Sequence, residues 1–290
     1  MNKKLEYTYR EVNIEESQLR LYSIFFKKCY KRNKHLTYDY LKWLYSSNPE
    51  GNAIGFDAFF NDQIVAHYAC IPVKYCINEN ETKGLLSLNT ATHPNHQRKG
   101  LFLKLAKKTY DFALENNFKF IIGVANSQSS HGFLKRLDFE LVKPLDVKLG
   151  IGFPNTSQKK TDECKFYRIW DRDSFYWRKS NPGKGYDFKK ITNNNFIITT
   201  NTGMLGIRAI VYESKVNSYF ISTIRKFYFN PLKIWIGIDS FKNWNNRLYF
   251  NLPDRMKISP LNLIFKDLTE RKIRLDPDSI KFTGFDFDAY

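Results

Sequence analysis

The sequence predicts an α/β protein in which helices flank a mixed, largely antiparallel sheet, with a second α/β domain after it. Three observations support this prediction. The length of 290 residues is long for one core and short for three, which favours two domains. Hydrophobic residues make up 42% of the chain, which is enough for packed cores. Apolar spacing switches repeatedly between period two and the helical period over residues 5–149.

The first half, residues 1–150, contains the clearer elements. Asn61-Asp62 between two apolar runs predicts a hairpin, and Asn48-Pro49 with Gly51 predicts the end of a helix. In chain order we predict strand 5–13, helix 15–31, helix 38–45, strands 54–60, 63–75 and 85–92, helix 100–117, strand 118–124, helix 129–137 and strand 139–149.

Residues 151–290 are predicted to form the second domain. Residues 38–51 are echoed by residues 172–185, because each segment has an aromatic helix with a tryptophan, ended by Asn-Pro and followed by glycine. This self-similarity favours a degenerate copy of the first domain's architecture. The alternative is that two helices merely share a stop signal. Strand-like runs follow, over residues 195–200, 206–212, 219–223, 261–267 and 282–290.

The formal net charge of +17 points to anionic partners, such as nucleic acid, a membrane surface or phosphorylated small molecules. The alternative is that lysines are simply spread over the surface. The charge is not gathered into one arm or block, which argues against a dedicated nucleic-acid binder.

The four cysteines form no CxxC pair and no His/Cys cluster with zinc spacing, so we expect no metal. No apolar run resembles a signal peptide or reaches the length of a membrane helix. We therefore expect a cytoplasmic protein without membrane insertion, either a monomer or a homodimer.

A loop between a strand and a helix carries the best local signal. After the strand that ends at Thr92 come His93-Pro94, a basic segment and Gly100, which opens a helix. The free N–H groups at a helix start bind anions such as a pyrophosphate, and a glycine lets phosphates approach closely. Three lysines one or two turns on, Lys104, Lys107 and Lys108, are candidates for a further phosphate. An ordinary strand-to-helix turn is the alternative.

This loop resembles the phosphate loop of the GNAT superfamily of N-acetyltransferases, Gln/Arg-x-x-Gly-x-Gly/Ala. The order of elements over residues 5–149 is similar too, and Asn126 before a helix that closes on Leu137-Asp138-Phe139 resembles the superfamily's second motif. The resemblance implies an acyl-CoA donor whose pantetheine arm pairs with the strand before the loop. The implied CoA-binding residues are Thr90, Thr92, Gln97, Arg98, Lys99, Gly100, Leu101, Phe102 and Asn126.

Two residues depart from the superfamily pattern. Phe102 replaces the small last residue of the loop, so close approach there requires its ring to turn into the core. Leu134 falls where the superfamily often has the tyrosine that protonates the departing thiolate. A carbon side chain is no general acid, so the thiolate must be helped by solvent or by another residue.

Attack of an amine on a thioester requires proximity, a donor for the carbonyl oxygen and loss of an amine proton. A backbone N–H near Ala91 or Thr92 is the candidate donor. Candidates for proton removal are water bound by Asn89, the side chains of His67 or Tyr68, or a group from the second domain; for His67 the alternative is a packed strand histidine. For the acceptor we expect Tyr68, Asp286 and Asp288, the last two on one face of an alternating strand. A solvated strand face is the alternative for that pair.

Three segments are informative about the acceptor: residues 93–102, the helix end from Trp43 to Asn48-Pro49, and the closing residues 286–290. With them, the overall layout resembles bacterial N-acyltransferases that modify nucleotide-linked (dTDP- or UDP-) amino sugars for surface polysaccharide, such as lipopolysaccharide O-antigen. The resemblance implies an acceptor that carries a diphosphate, held between the two domains. Two alternatives stay open. One is an aminoacyl-tRNA-dependent transferase resembling the peptidoglycan-bridge enzymes, although a tRNA donor has no use for the phosphate loop. The other is a non-catalytic acyl-CoA-binding protein.

Overall fold

A computed structural model describes residues 6–30, 35–154, 164–192, 195–215, 230–242, 244, 248–253, 259–269 and 272–289. Within these ranges the first half contains β1 (Thr8–Glu11), α1 (Glu16–Cys29), α2 (Tyr38–Ser46), β2 (Ile54–Phe60), β3 (Gln63–Ile77), β4 (Asn80–Thr92), α3 (Leu101–Glu115), β5 (Phe120–Ala125), α4 (Ser127–Arg136), β6 (Glu140–Pro144) and β7 (Asp146–Ile151). The second half contains β8 (Phe166–Arg168), α5 (Arg172–Lys179), β9 (Tyr186–Thr192), β10 (Asn195–Asn201), β11 (Ile207–Lys215), β12 (Leu232–Asp239), β13 (Tyr249–Asn251), β14 (Asn262–Asp267) and β15 (Ile280–Thr283).

Local sequence signals explain several element ends. Asn61 and Asp62 have φ angles of 48° and 56°, which is the backbone of the two-residue turn that suits a tight hairpin between β2 and β3. Helix α2 begins at Tyr38 because the side chain of Thr37 accepts a hydrogen bond from Tyr40 N. The turn therefore joins the two strands directly, and the cap fixes where α2 begins.

The described strands form one continuous, mostly antiparallel sheet in the order β6-β14-β5-β4-β3-β8-β15-β12-β11-β10-β9, with β1, β2, β7 and β13 attached to it. Helices α1 and α2 pack on one face of its first half, in a core that includes Tyr22, Leu44 and Ile71. Helices α3 and α4 pack on the other face, over Leu105 and Phe133. The predicted fold class, helices flanking a mixed and largely antiparallel sheet, is therefore confirmed.

The two halves exchange strands. β14 comes from the second half but lies between β5 and β6 of the first, paired antiparallel with both. Conversely, β7 comes from the first half and pairs with β12 and β13 of the second. The division of the chain at residue 150 stays a prediction, because strands from both sides of that point share one sheet.

The two helices with similar sequences pack against each other. The rings of Trp43 in α2 and Trp177 in α5 stack with centroids 4.9 Å apart and planes 16° apart. Each indole Nε1 donates to the other tryptophan's backbone oxygen, at 2.7 and 2.9 Å. Such a reciprocal contact has local two-fold symmetry. The parallel β11–β12 pair likewise repeats the parallel β4–β5 pair.

Two predicted strands differ from the structure. The run over residues 139–149 is two strands, β6 and β7, separated at Leu145, because β6 pairs with β14 whereas β7 pairs with β12. The closing strand covers only Ile280–Thr283, and residues 284–288 form a turn. The run predicted over residues 219–223 lies outside the described residues, as do Leu5, Lys31, the linker residues 155–157 and Tyr290.

Candidate active site

Strands β4 and β5 separate towards their carboxyl ends. They pair in parallel at Leu85, Leu86 and Ser87 of β4, opposite residues 121–123 of β5. β4 then continues to Thr92 and β5 to Ala125 without further pairing between the two, and both strands are described in full. Backbone groups of β4 beyond Ser87 therefore face an open wedge, which has room for an extended ligand to pair with the strand.

A β-bulge lies in β4 where the wedge opens. Against β3, His67 lies opposite Ala91 and Ala69 lies opposite Leu88, so both Asn89 and Thr90 face Tyr68. Asn89 has a φ of 45°, in the left-handed region. Bulges of this kind bend a strand and redirect its side chains.

The predicted phosphate loop follows β4 directly. Residues Pro94–His96 form a 3-10 turn, and Gln97 Nε2 lies 3.4 Å from Thr92 O. Arg98 and Gly100 both have left-handed backbones, with φ angles of 60° and 73°. Left-handed residues next to a helix start turn neighbouring N–H groups towards one point, which is the backbone shape of an anion-binding nest.

Gly100 is the N-cap of α3, and the first helical hydrogen bond runs from Lys104 N to Gly100 O at 3.1 Å. The N–H groups before Lys104 therefore have no acceptor within the helix. No atom lies within 4 Å of the position that a Cβ at Gly100 would occupy. The surface over this helix start is thus open to a phosphate group.

Phe102 turns its ring away from the loop and into the core. The ring centroid lies 5.2 Å from that of Phe133 and 5.9 Å from that of Tyr68. A Cβ at Gly132 in α4 would lie 2.9 Å from Phe102 Cε1, so the absence of a side chain at 132 makes space for the ring. The bulky residue at the end of the loop is thereby accommodated without blocking the helix start.

Helix α4 begins at the mouth of the wedge. The Asn126 side chain accepts from Gln128 N and Ser129 N, both at 3.0 Å, and so caps the helix. Leu134 is half-buried and packs against the core under α3 and α4. Ser259, from the second half, lies with its Oγ 3.3 Å from Ser127 N. Both halves of the protein therefore border the mouth.

A buried hydrogen-bond network lies on the opposite face of the sheet, behind the bulge. Asp57 Oδ1 lies 2.6 Å from His67 Nδ1, and His67 Nε2 lies 2.8 Å from the Tyr45 hydroxyl. That hydroxyl accepts from Asn89 Nδ2 at 3.0 Å. We call Asp57, His67, Tyr45 and Asn89 the Asp57–Asn89 network. His67 and Tyr45 are fully buried, so the network connects an inaccessible carboxylate to the bulge.

Further tyrosines complete this side of the bulge. Tyr22 donates to Asp57 Oδ2 at 2.5 Å, and the Tyr30 hydroxyl donates to the carbonyl of Thr90. Burial raises the pKa of Tyr45 well above its ordinary value, and burial also raises the pKa of Tyr30 to about 12. These phenols are therefore neutral hydrogen-bonding groups at physiological pH.

Of the residues predicted for catalysis, the structure brings Asn89, Thr92 and His67 together around the bulge, but not Tyr68. Tyr68 lies on the α3 face of the sheet and is fully buried. Its hydroxyl lies 2.8 Å from Ser87 Oγ and 3.0 Å from the Tyr110 hydroxyl. Successive side chains of a strand point to opposite faces, so Tyr68 cannot share a face with His67. We therefore leave Tyr68 out of the mechanism proposed below.

Asp286 is placed where an acceptor amine cannot reach it, in the turn after β15. It is 3% exposed, and its carboxylate accepts from Thr283 N at 2.6 Å and from Trp170 Nε1 at 3.0 Å. Burial raises its pKa. The sequence predicted a strand carboxylate for the acceptor, with a solvated strand face as the alternative, whereas the structure makes Asp286 an internal cap of the turn.

The carboxylate of Asp288 also has its partners inside the protein. It receives hydrogen bonds from Tyr40 Oη at 2.8 Å and Lys184 Nζ at 3.1 Å, and Arg178 lies 3.4 Å away. Burial raises its pKa, but Arg178 and Lys184 together outweigh burial, so the net pKa is lowered. The alternation in the sequence predicted a common strand face, whereas the turn places the two carboxylates in separate polar clusters.

Two of the lysines near the loop, and both of its histidines, have local partners. Lys104 Nζ lies 4.3 Å above the Tyr9 ring and Lys108 Nζ 5.4 Å above the Phe56 ring, so both point towards β1 and β2. His93 Nδ1 accepts from Asn95 N, and His96 Nδ1 lies 3.0 Å from the Tyr7 hydroxyl. Burial, with the charge of Lys99 nearby, lowers the pKa of His96. Both histidines therefore make contacts within or beside the loop.

A groove of about 270 Å³ runs between α1 and the β2–β3 hairpin and reaches the loop. Its lining combines apolar side chains with a polar rim: Leu21, Ile24, Phe25, Phe59, Ile64 and Val65 with Gln18, Lys28, Asp62, Gln63, His93 and His96. The groove provides an approach to the end of β4 from the α1 side.

The sequence did not predict that Tyr45, Asp57 and Tyr22 belong to a polar network. Asp57 offered one signal, because it is the only charged residue in the otherwise apolar run Ile54–Phe60. A buried carboxylate needs partners, so such a position indicates a polar network. Tyr45 and Tyr22 gave no comparable signal, since each belongs to the apolar stripe of its helix.

Comparison with protein families shows what this architecture is. Residues 9–142 match the family model of the acetyltransferase (GNAT) domain. This part of the chain is similar to a GNAT acetyltransferase domain. The matched residues include β4, the phosphate loop, α3, β5 and α4. The prediction of a GNAT-type acyltransferase that uses acyl-CoA is thereby confirmed, whereas no comparison bears on the nucleotide-sugar acceptor.

Solved structures extend the likeness of fold beyond the GNAT domain. A probable N-acyltransferase from Enterococcus faecalis V583 superposes with a TM-score of 0.62 at 8% identity, covering 91% of this chain and 73% of that one. A GCN5-related N-acetyltransferase from Anabaena variabilis gives 0.61 at 12% identity, with the same coverages of 91% and 73%. Saccharomyces cerevisiae N-myristoyltransferase with bound myristoyl-CoA gives 0.57 at 10% identity, covering 91% and 84%. Because each match includes nine-tenths of this chain, the second half shares their fold as well.

Among curated protein sequences, none matches this chain significantly. In the part of the chain that the structure describes, no helix is long and apolar enough to cross a membrane. Within the same residues, no three His, Cys, Asp or Glu side chains are grouped so that they could hold a metal ion.

Proposed function

We propose that this protein transfers an acyl group from acyl-CoA to the amine of a nucleotide-linked amino sugar. The proposed binding of the acyl-CoA donor rests on one observation. Left-handed Arg98 and Gly100 open the start of α3 to an anion, directly after a strand whose edge is unpaired beyond Ser87. A pyrophosphate at the helix start and a pantetheine arm along the free strand edge fit these two features together.

The thioester carbonyl would lie beside the end of β4. His93 N donates to Val65 O of β3, and successive N–H groups of a strand point to opposite sides. The N–H of Thr92 therefore points towards the wedge, where it can polarise the carbonyl oxygen. The neutral amine then attacks the carbonyl carbon, the C–S bond breaks, and the thiolate takes its proton from solvent because Leu134 has none to give. The amine loses its extra proton to solvent.

The groove along α1 is the proposed entry for the acceptor. Its volume of about 270 Å³ lies near the lower end for small-molecule sites, so it suits a sugar ring better than an entire nucleotide-sugar. Lys28 and His93 on its rim can meet phosphate oxygens, and Phe25 and Phe59 offer apolar surface to a ring. The net charge of +17 favours an anionic acceptor of this kind.

The acceptor is tested by free-thiol release from acetyl-CoA in the presence of a panel of nucleotide-linked amino sugars. We expect turnover with at least one dTDP- or UDP-linked amino sugar, and none with the same nucleotide-sugars lacking the amine. If every sugar fails while another class of amine is acylated, the acceptor proposal is wrong and the donor proposal stands.

The donor site is tested by a carboxylate placed in the loop. Gly100→Asp would put a negative charge beside the pyrophosphate, so we expect CoA affinity to fall on the order of a hundredfold. Gly203→Asp is the matched control, because Gly203 has a φ of 77° and no atom within 4 Å, as at Gly100. Isothermal titration with CoA should show wild-type affinity for the control. Equal affinities for the two variants would remove CoA from this loop.

The two alternatives predict different ligands. An aminoacyl-tRNA-dependent transferase would be stabilised against heat by tRNA and not by CoA, whereas the proposed enzyme responds to CoA. A non-catalytic acyl-CoA-binding protein would also respond to CoA but would release no thiol with any amine. Thermal-shift titrations with both ligands, combined with the thiol assay, separate the three.

A further inference from the structure

We infer that the buried residues Asp57, His67 and Tyr45 orient the side chain of Asn89 so that its Oδ1 faces the acceptor amine. Asn89 is then the residue that touches the amine, and the other three members of the Asp57–Asn89 network are positioning residues. The inference rests on the proposed acyl transfer beside the bulge. It gives a function to a histidine and a carboxylate that lie too deep to meet substrate themselves.

The order of donors and acceptors along the network fixes the orientation. The Asp57 carboxylate can only accept, so a neutral His67 keeps its proton on Nδ1 and leaves Nε2 to accept from the Tyr45 hydroxyl. That hydroxyl has then used its single proton and can only accept, so it pairs with Nδ2 of Asn89 and not with Oδ1. The Asp57 carboxylate thus selects one histidine tautomer, and two bonds further on that tautomer selects which end of the Asn89 amide points inwards.

A protonated His67 would produce the opposite orientation. An imidazolium donates from both nitrogens, so Tyr45 would accept from His67 and donate its own proton to Asn89 Oδ1. The titratable groups that contact His67 are Asp57 from β2, Tyr45 from α2 and Tyr22 from α1, whose ring centroid lies 4.6 Å from that of His67. Of these only Asp57 is charged, and Tyr22 donates to its second oxygen.

The free amide oxygen is what the reaction requires. Among the described residues, Asn89 Oδ1 accepts no hydrogen bond, whereas Nδ2 is used by Tyr45. An oxygen at the bulge can accept an N–H of the acceptor amine and hold its lone pair towards the thioester carbon. That bond strengthens when the nitrogen becomes positively charged during attack. An NH₂ group in the same place would repel the amine's N–H.

The test replaces Asn89 with aspartate, whose two carboxylate oxygens are equivalent. A carboxylate presents oxygen on both sides, so Asn89→Asp needs no orienting network, and Asp tolerates the left-handed backbone found at this position. In the wild-type background, Tyr45→Phe should lower kcat on the order of tenfold or more while CoA affinity is unchanged. In the Asn89→Asp background, the same change should have little further effect.

Tyr75→Phe is the control substitution. Tyr75 is a fully buried tyrosine on β3, the strand of His67, and its hydroxyl has no hydrogen-bond partner among the described residues. We expect wild-type kcat for this variant. A tenfold loss from Tyr45→Phe in both backgrounds would mean that Tyr45 only supports packing, and no loss in either would remove the network from the reaction.

Two further measurements keep this test separate from the choice of acceptor. Hydroxylamine replaces the sugar amine if no nucleotide-sugar is acylated, so the substitutions are still compared by thiol release. NMR of protein with ¹⁵N-labelled histidine reports the His67 tautomer without any turnover. We expect Nδ1–H at neutral pH and its loss in Asp57→Asn; an Nε2–H tautomer in the wild-type protein would overturn the inference.

Discussion

Phe102 and Gly132 form a complementary pair at the end of the phosphate loop. The loop pattern of the GNAT superfamily has a small residue at position 102, and here the ring occupies space that a side chain at 132 would fill. Phe133 and Tyr68 hold the ring from two other sides. Because the Phe102 ring packs beneath the start of α3, the position of the loop depends on Gly132 in α4.

Gly132→Ala tests this dependence. Alanine is the better helix former by about 1 kcal/mol, but its Cβ would lie 2.9 Å from Phe102 Cε1. Forcing a methyl group into a packed core costs about 1–3 kcal/mol, so we expect a net loss in the free energy of unfolding. The displaced ring should also weaken CoA binding, as measured by calorimetry.

Leucine at position 102 provides the matched rescue, because it lacks the ring edge that meets the new methyl group. The double variant Phe102→Leu, Gly132→Ala should bind CoA more tightly than Gly132→Ala alone. If Gly132→Ala binds CoA like the wild type and unfolds at higher urea concentration, helix propensity has prevailed and the pair does not govern the loop.

Asp288 gives stability a defined pH dependence. Its pKa in the folded protein is lowered by Arg178 and Lys184, despite burial, relative to the ordinary value. A group with a lowered folded pKa stabilises the protein above its unfolded pKa, and this contribution is lost as pH falls through the folded pKa. We therefore expect Asp288→Asn to cost about 3 kcal/mol near neutral pH, and progressively less below about pH 4.

Urea unfolding of both proteins between acid and neutral pH measures this difference. Asn is a fitting replacement, because Asp288 has a φ of 58° and Asn tolerates that backbone. Burial raises the pKa of Glu50 and of Asp286, but both groups are present in the two proteins and cancel in the comparison. A difference that is constant with pH would contradict the assignment to the Asp288 charge.

At the scale of helices and strands, periodicity and stop signals were sufficient for most elements of the first half. The helix predicted over residues 100–117 is α3, Leu101–Glu115, and the hairpin at Asn61-Asp62 joins β2 and β3 as expected. These elements depend on local sequence alone. Where pairing decided the outcome, the prediction was wrong: the run over residues 139–149 is divided at Leu145 because its two parts pair with different strands, β14 and β12.

The same distinction applies to the site. Gln97 to Phe102 could be located because a strand, a loop and a helix follow one another in sequence. The Asp57–Asn89 network could not, because its four residues come from β2, α2, β3 and β4 and meet only after the sheet has formed. The strand predicted to carry Asp286 and Asp288 was wrong for a related reason. Alternating residues are typical of a strand, but the chain makes a turn there.

The stacked tryptophans of α2 and α5 are the element-scale contact whose energy can be measured. Trp43→Phe removes one of the two reciprocal hydrogen bonds and part of the stack, and leaves the carbonyl of Trp177 with the donors of Ser180 alone. We expect a loss of about 2–4 kcal/mol in the free energy of unfolding. Circular dichroism during urea unfolding avoids the fluorescence change that loss of a tryptophan causes.

Trp177→Phe and the double variant complete the cycle. Because the two rings touch and each donates to the other residue, the double variant should cost less than the sum of the single ones, with a coupling energy of about 0.5–1.5 kcal/mol. Strict additivity would show that the two helices do not stabilise each other through this pair.

At the scale of the whole molecule, the exchange of β14 and β7 makes the halves depend on each other. Leu263, Ile264 and Phe265 of β14 are at most 1% exposed, so β14 is a central strand of the first half's sheet. Without it, the outer edge of β5 would have unpaired backbone groups beside the apolar residues Ile121 and Ile122. An unpaired central edge of this kind promotes aggregation.

A fragment of residues 1–150 should therefore not behave as an independent domain, although the sequence predicts a boundary there. We expect it to bind the dye ANS, to unfold without a cooperative transition and to bind no CoA, because the exposed β5 edge destabilises the wedge beside it.

Joining residues 259–269 to residues 1–145 through a flexible linker returns β14 to its place between β5 and β6. This fused fragment should be more soluble than residues 1–150 and should recover measurable CoA binding by calorimetry. A control fusion that carries Ile264→Asp, a charge at a fully buried β14 position, should not recover it. Cooperative unfolding and wild-type CoA affinity of residues 1–150 alone would mean instead that the first half is complete without its borrowed strand.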